Sequence, residues 1–175
     1  IVGLWNENVW LASKGGGIGS YWGNLRSIGE NIGRNGKTSG VIPFIRVMDS
    51  LTLAISQGSL RRGSAAVYLP VWHPEIEEFT EMRRPTGGDP NRKALNLHHG
   101  VLVTDAFMRA VEADEEWALL SPKDHSLIRK VSARQLWIRI LSARTGQGEP
   151  YATSSELMNR LRHSPYISAP PLVTA

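Results

Sequence analysis

Between Thr38 and Trp72 the chain reads TSGVIPFIRVMDSLTLAISQGSLRRGSAAVYLPVW, a helix, a basic loop and an apolar strand with almost no slack between them. Val41, Phe44, Ile45, Met48, Leu51 and Ile55 recur at spacings of three and four, which makes one apolar stripe on a helix. Thr38 or Ser39 can supply the N-cap oxygen, and Pro43 falls in the first turn, where a missing N–H costs little. Gly58 ends the helix. The loop Gly58-Ser59-Leu60-Arg61-Arg62-Gly63-Ser64 then sets two guanidiniums among residues small enough to let backbone approach a ligand. On pattern alone a solvated surface connection is the readier reading of that loop, with a ligand-sensing loop as the alternative. Residues 65–69 form an apolar run of strand length, which predicts a strand buried on both faces.

The flanking segments repeat this alternation. Residues 5–14 are too short to choose between helix end and strand. Gly15-Gly16-Gly17-Ile18-Gly19 lets backbone N–H groups face a phosphate or a sugar, and is equally a plain tight turn. As a dinucleotide fingerprint it is weak, with three residues rather than two before Gly23 and no clear strand ahead of it. Residues 33–38 form a turn carrying Arg34 and Lys37 around Asn35-Gly36, just before a helix N-terminus, which itself favours anions. A helix from Pro74 to Met82 places Glu75 and Glu78 in its first turn as ordinary dipole partners. Residues 83–92 form a loop.

Asn96, His98 and His99 lie in an apolar stretch read as core. Adjacent histidines on a strand point to opposite faces, and His73, His125 and His163 stand at no ligand spacing from them, so the sequence predicts no metal site. Thr104 caps a helix over 105–111, Trp117 to Leu120 form a short strand, and Ser132 with Gln135 opens a further helix whose apolar face is Leu136, Trp137, Ile140 and Leu141. Helices alternating with strands argue for an α/β architecture with parallel strands.

With 175 residues the chain has room for one domain with a real core. Its net charge of +4 is spread along the sequence, which suits phosphate ligands better than a nucleic-acid groove. No apolar run reaches membrane-spanning length, and the start lacks the basic residues of a signal peptide, so a cytoplasmic setting is expected. Beginning on Ile1, the chain reads as a fragment or a processed product. It contains no cysteine.

Four segments carry a resemblance: GGGIGSYWGNLRSIGE, NGKTSGVIPFIRVMDS, SQGSLRRGSAAVYLPVWHPEIEEF and RKALNLHHGVLVTDAFMRAV. Together they resemble the large catalytic subunit of class I ribonucleotide reductase in its bacterial form, in order over roughly residues 13–151. The resemblance implies part of a ten-stranded α/β barrel over residues 1–151; residues 152–175 match poorly and read as a frayed or disordered end, or as a point where the sequence leaves the family. It implies that Gly16, Gly17 and Gly19 lie against a ribonucleoside diphosphate substrate. It implies a first specificity loop at Arg34, Asn35 and Lys37 and a second at Gln57, Arg61, Arg62 and Ser64, which answer to deoxynucleoside triphosphate effectors bound with magnesium. A radical-generating small subunit and a homodimer of the large subunit are the implied partners, with no nucleic acid and no membrane. The family's chemistry needs a thiyl radical and two further thiols, so a chain without cysteine is expected to be inactive by itself and to carry no catalytic residue. The alternatives are a non-catalytic nucleotide-binding fragment and an NAD-dependent dinucleotide-binding domain.

Overall fold

A computed structural model describes residues 1–34, 36–55 and 63–156, and the backbone of 173–174. In chain order the elements are α1 (Val2–Ser13), β1 (Gly17–Tyr21), α2 (Ile42–Ala54), β2 (Ser64–Pro70) and α3 (Ile76–Glu81). A 3₁₀ turn at Pro90–Arg92 follows, then β3 (His98–Val103), α4 (Asp105–Ala113), β4 (Glu116–Leu120), β5 (Leu127–Ser132), α5 (Ala133–Gln147), β6 (Tyr151–Ser154) and β7 (Val173–Thr174). The sheet runs β6-β3-β2-β1-β7, with every pair parallel. This is the α/β architecture that the alternation predicts, because parallel neighbours need crossover connections and helices supply them.

The expectation of a doubly buried β2 is half right. Ala65, Val67 and Leu69 are buried under the helices, whereas Ser64 is exposed and Ala66 and Tyr68 are only partly covered. Helices cover one face of the sheet and leave the other open, as in a segment of barrel wall whose far side is not present. The covered face packs Ile18, Val67, Leu69, Val101 and Val103 into one core with Ile42, Ile45 and Met48 of α2, Ile76 and Phe79 of α3, Phe107 of α4 and Ile140 of α5. The buried face of α2 is therefore Ile42, Ile45, Met48, Asp49 and Thr52, with Phe44, Leu51 and Ile55 at its margin.

Residues 5–13, open between helix end and strand in the sequence, belong to α1, which leaves Trp10 62% exposed. Local readings differ from the structure in three places. Neither Thr38 nor Ser39 caps α2; its first turn is served by a carboxylate from elsewhere in the chain. Pro74 precedes α3 rather than opening it. Residues 116–132 form an antiparallel β4–β5 hairpin, of which only β4 was legible. The caps at Thr104 and Ser132 are present: their hydroxyls accept from Phe107 N (3.1 Å) and Gln135 N (3.2 Å). Arg139 of α5 ties α3 through Glu77 (2.8 Å) and Glu81 (2.6 Å). Among the described residues no helix is long and apolar enough to cross a membrane.

Candidate functional site

Parallel register places Gly17 beside Ser64, Gly19 beside Ala66 and Ala66 beside His98; further along, Tyr21 pairs with Tyr68, and Tyr68 with Gly100. Register partners point the same way, so all of these lie on the open face. Toward the start of the strands the face is a floor of small residues: Gly17, Gly19, Ser64 and Ala66. Farther along, two tyrosines rise from it. A Cβ on Gly100 would stand 2.7 Å from Cε1 of Tyr68, so the ring of Tyr68 leans across β3 onto Gly100. Tyr21 leans instead toward Gly23 and Pro70. Burial pushes the Tyr21 hydroxyl above its usual pKa, so it stays a neutral donor. Gly16 is placed differently. Its N–H bonds to the Leu11 carbonyl (2.9 Å), and a Cβ there would meet the same oxygen at 3.2 Å, so it closes α1 rather than facing the floor.

His98 stands at the edge of this floor. Its Nδ1 lies 2.5 Å from Oε1 of Glu149, while Oε2 accepts from Nδ1 and N of His99, both at 3.0 Å. Arg83 Nη1 donates to Oε1 at 2.8 Å. Burial alone would raise the Glu149 carboxyl, but the hydrogen bonds from His99 and His98 and the charge of Arg83 outweigh it and hold its pKa at about 2. The two histidines do leave the strand on opposite faces, yet they share one carboxylate, because both reach it from the strand's first residues. Asn96 is structural: its N and Nδ2 donate to Asp49 of α2 at 2.7 and 2.9 Å.

At the other end of the strands, residues 29–32 and 36–38 pair as the two arms of a small hairpin. Ile32 N bonds Gly36 O (2.8 Å), Thr38 N bonds Glu30 O (2.9 Å), and Asn31 bridges Lys37. Arg34 and Lys37 are exposed on it. Between this hairpin and the start of α2 lies a cleft of about 310 Å³ whose lining includes Asn24, Arg26, Thr38, Gly40 and Phe44. Glu75, 4% exposed, organises its wall: its carboxylate accepts from Val41 N (2.9 Å) and Ile28 N (3.1 Å) and pairs with Arg92 (3.2 Å). Burial raises the Glu75 pKa, opposed by those two N–H groups and by Arg92. His73 completes the arrangement. Its Nε2–H donates to Leu25 O (3.0 Å) and its Nδ1 accepts from Glu75 N (3.1 Å), a neutral tautomer that fits a ring whose pKa burial lowers.

The family described as ribonucleotide reductase, barrel domain, matches residues 1–168. This chain belongs to that family. It is 47% identical over 158 residues to a putative ribonucleoside-diphosphate reductase large subunit of Frog virus 3, covering 90% of this chain and 27% of that protein. It is 34% identical over 182 residues to the alpha subunit of ribonucleoside-diphosphate reductase from Chlamydia muridarum (88% and 17%), and 33% identical over 174 residues to the large subunit from Caenorhabditis elegans (86% and 22%). The chain thus spans about a quarter or less of the length of these relatives.

For a reductase barrel, the open face is the wall that would face the interior. Gly17, Gly19 and Ser64 come together there. Arg34 and Lys37 stand ahead of the N-terminus of α2, whereas Ser64 opens β2 after its C-terminus, so the 13 residues of α2, about 20 Å at 1.5 Å each, lie between them in the chain. Asn35, Gln57, Arg61 and Arg62 lie outside the described residues. Sequence reasoning missed Arg26, and it missed what His73, Glu75 and Arg92 hold, because Leu25, Ile28, Val41 and Ser39 are distant from them in the chain and leave no periodic signal. The dinucleotide fingerprint finds no matching geometry, since Gly17 and Gly19 lie inside β1 and Gly23 opens a loop, not a helix. Among the described residues no group of three or more His, Cys, Asp or Glu is arranged to hold a metal ion.

Proposed function

We propose that this chain is the part of a class I ribonucleoside-diphosphate reductase large subunit that seats the ribonucleotide and reads the effector. The single observation that carries the reading is the register of Gly17, Gly19, Ser64 and Ala66, which makes a side-chain-poor floor on the uncovered side of a parallel sheet. Such a floor lets a sugar ring approach backbone closely. The thiols for reduction at the ribose 2′-carbon come from cysteines outside these residues, and the initiating radical from a small subunit. Reducing ribonucleotides to deoxyribonucleotides supplies DNA synthesis, a cytoplasmic task.

The cleft beside Arg26, Arg34 and Lys37 suits a deoxynucleoside triphosphate, with magnesium riding on its phosphate oxygens. A guanidinium and a nearby helix N-terminus are both anion-seeking. The separation of the hairpin from Ser64 by the length of α2 supports a homodimer. Two α2 helices packed antiparallel across a two-fold axis would set the hairpin of one copy beside the C-terminal end of α2 in the other. Exposed Val47 and Leu53 on α2 and Trp10 on α1 offer apolar area for that contact.

A thermal-shift titration of the chain with ribonucleoside diphosphates, the four deoxynucleoside triphosphates and NAD tests the reading. Stabilisation by both nucleotide classes and not by NAD is expected. Stabilisation by NAD alone would overturn it in favour of a dinucleotide-binding domain.

A further inference from the structure

Glu75 is the first residue after a short turn that leaves β2, yet nothing it bonds lies in that turn except His73. Its Oε2 accepts from Ile28, on the outgoing arm of the 24–41 segment, and from Val41, on the returning arm. Its Oε1 meets Arg92 Nη2, and Arg92 Nη1 donates to the Ser39 carbonyl at 3.1 Å. Arg92 is itself held by Glu78, through Nη2 to Oε2 at 2.6 Å. Gly40 has φ +86 and passes so close that a Cβ there would lie 2.6 Å from Oε2 of Glu75. His73 fixes Leu25 from the same side. One buried carboxylate thus closes both arms around the cleft and joins them to the strand that carries Ser64, Ala66 and Tyr68 on the open face.

We infer that Glu75, gripped by Arg92, is a positioning residue that holds the cleft in the shape that takes a nucleoside triphosphate and ties it rigidly to β2. The inference rests on the proposed assignment of the cleft to an effector. Glu75 touches no ligand; it acts through Ile28, Gly40 and Val41. A carboxylate can accept from both N–H groups at once and keep its pairing with Arg92. An amide whose oxygen takes the Oε2 position keeps both N–H groups but turns its NH2 against Arg92, so Glu75→Gln breaks the grip of Arg92, which also holds the Ser39 carbonyl, without removing the side chain's bulk.

Two measurements on the full chain test this. In the first, wild type and Glu75→Gln are digested with trypsin without nucleotide. Cleavage at Arg34 and Lys37 should accelerate in the variant, while cleavage at Lys123 and Arg129 in the β4–β5 hairpin stays unchanged. Equal acceleration at both places would mean general loosening, and none at all would mean no clamp; either overturns the inference. In the second, thermal-shift titrations with deoxynucleoside triphosphates and with ribonucleoside diphosphates are compared. Glu75→Gln should bind the triphosphates about tenfold more weakly, within the usual range of coupling between sites, with diphosphate binding unchanged. Unchanged triphosphate binding in the variant overturns the role of Glu75. A wild type that triphosphates do not stabilise overturns the effector assignment beneath it, whereas the proteolysis result stands apart from that assignment.

Discussion

Replacing Glu149 by Gln removes the one carboxylate that four donors share at the start of β3. Arg83 Nη1, Nδ1 of His98, and N and Nδ1 of His99 all lie within 3.0 Å of it. The fold holds its pKa at about 2, against an ordinary 4.5. At 1.36 kcal/mol per pH unit, that difference makes the ionised carboxylate worth about 3 kcal/mol to the folded state. The sign follows from the direction. A depressed folded pKa gives stability that is complete above the unfolded value of about 4.5 and is lost as pH falls toward about 2. Between pH 6 and pH 3 wild type should therefore lose about 2 kcal/mol through this group alone. Urea unfolding of wild type and Glu149→Gln at both pH values isolates it, because other carboxylates titrate equally in the two proteins. The variant should start less stable at pH 6 and show a pH dependence shallower by about 2 kcal/mol. Parallel pH profiles would refute the reasoning and mean that the Arg83–His98–His99 cluster gains nothing from the charge on Glu149.

Other substitutions probe the remaining contacts. Gly100→Ala drives a methyl into Cε1 of Tyr68 and should cost about 1–3 kcal/mol, read as a fall of several degrees in Tm; an unchanged Tm would mean the ring moves aside freely. Gly40→Ala combines a strained φ with a clash on the Glu75 carboxylate and should destabilise by more than about 1 kcal/mol in urea, whereas Gly146→Ala, inside α5 with open space at its Cβ, should instead stabilise by roughly 0.5–1 kcal/mol. Thr104→Ala removes the cap of α4 and should cost about 1 kcal/mol. Removing Arg34 and Lys37 together should weaken triphosphate binding most at low salt, as screened surface charges do.

How legible each feature was depends on how local its cause is. Thr104 and Ser132 declare their caps because donor and acceptor stand three residues apart. The parallel sheet follows from helices spaced between short apolar strands. By contrast, α2 takes its N-terminal partner from Glu75, 34 residues away. Nothing in TSGVIPF signals it, and Glu75 itself looks like an ordinary dipole partner of its own helix. The open face was misjudged for a related reason: 65–69 is apolar at every position, and only register with Gly17 and Gly19 reveals that Ala66 faces away from the helices. His98 and His99 illustrate the same limit. Alternation on the strand correctly sends them apart, but a carboxylate arriving from the turn after α5 reaches both. The glycine run alone does not tell Gly16, which owes its identity to the end of α1, from Gly17 and Gly19, which lie in β1.

The central claim is that the small-residue floor of β1 and β2 seats the ribonucleotide, and Gly19→Val tests it most directly. The added isopropyl group would rise from the middle of the floor beside Ala66, far from the cleft at the end of the strands. Binding of ribonucleoside diphosphate should be abolished while binding of deoxynucleoside triphosphate is retained, both followed by thermal shift on the same preparation. Diphosphate binding that survives Gly19→Val unchanged would contradict the claim and place the substrate elsewhere on the chain.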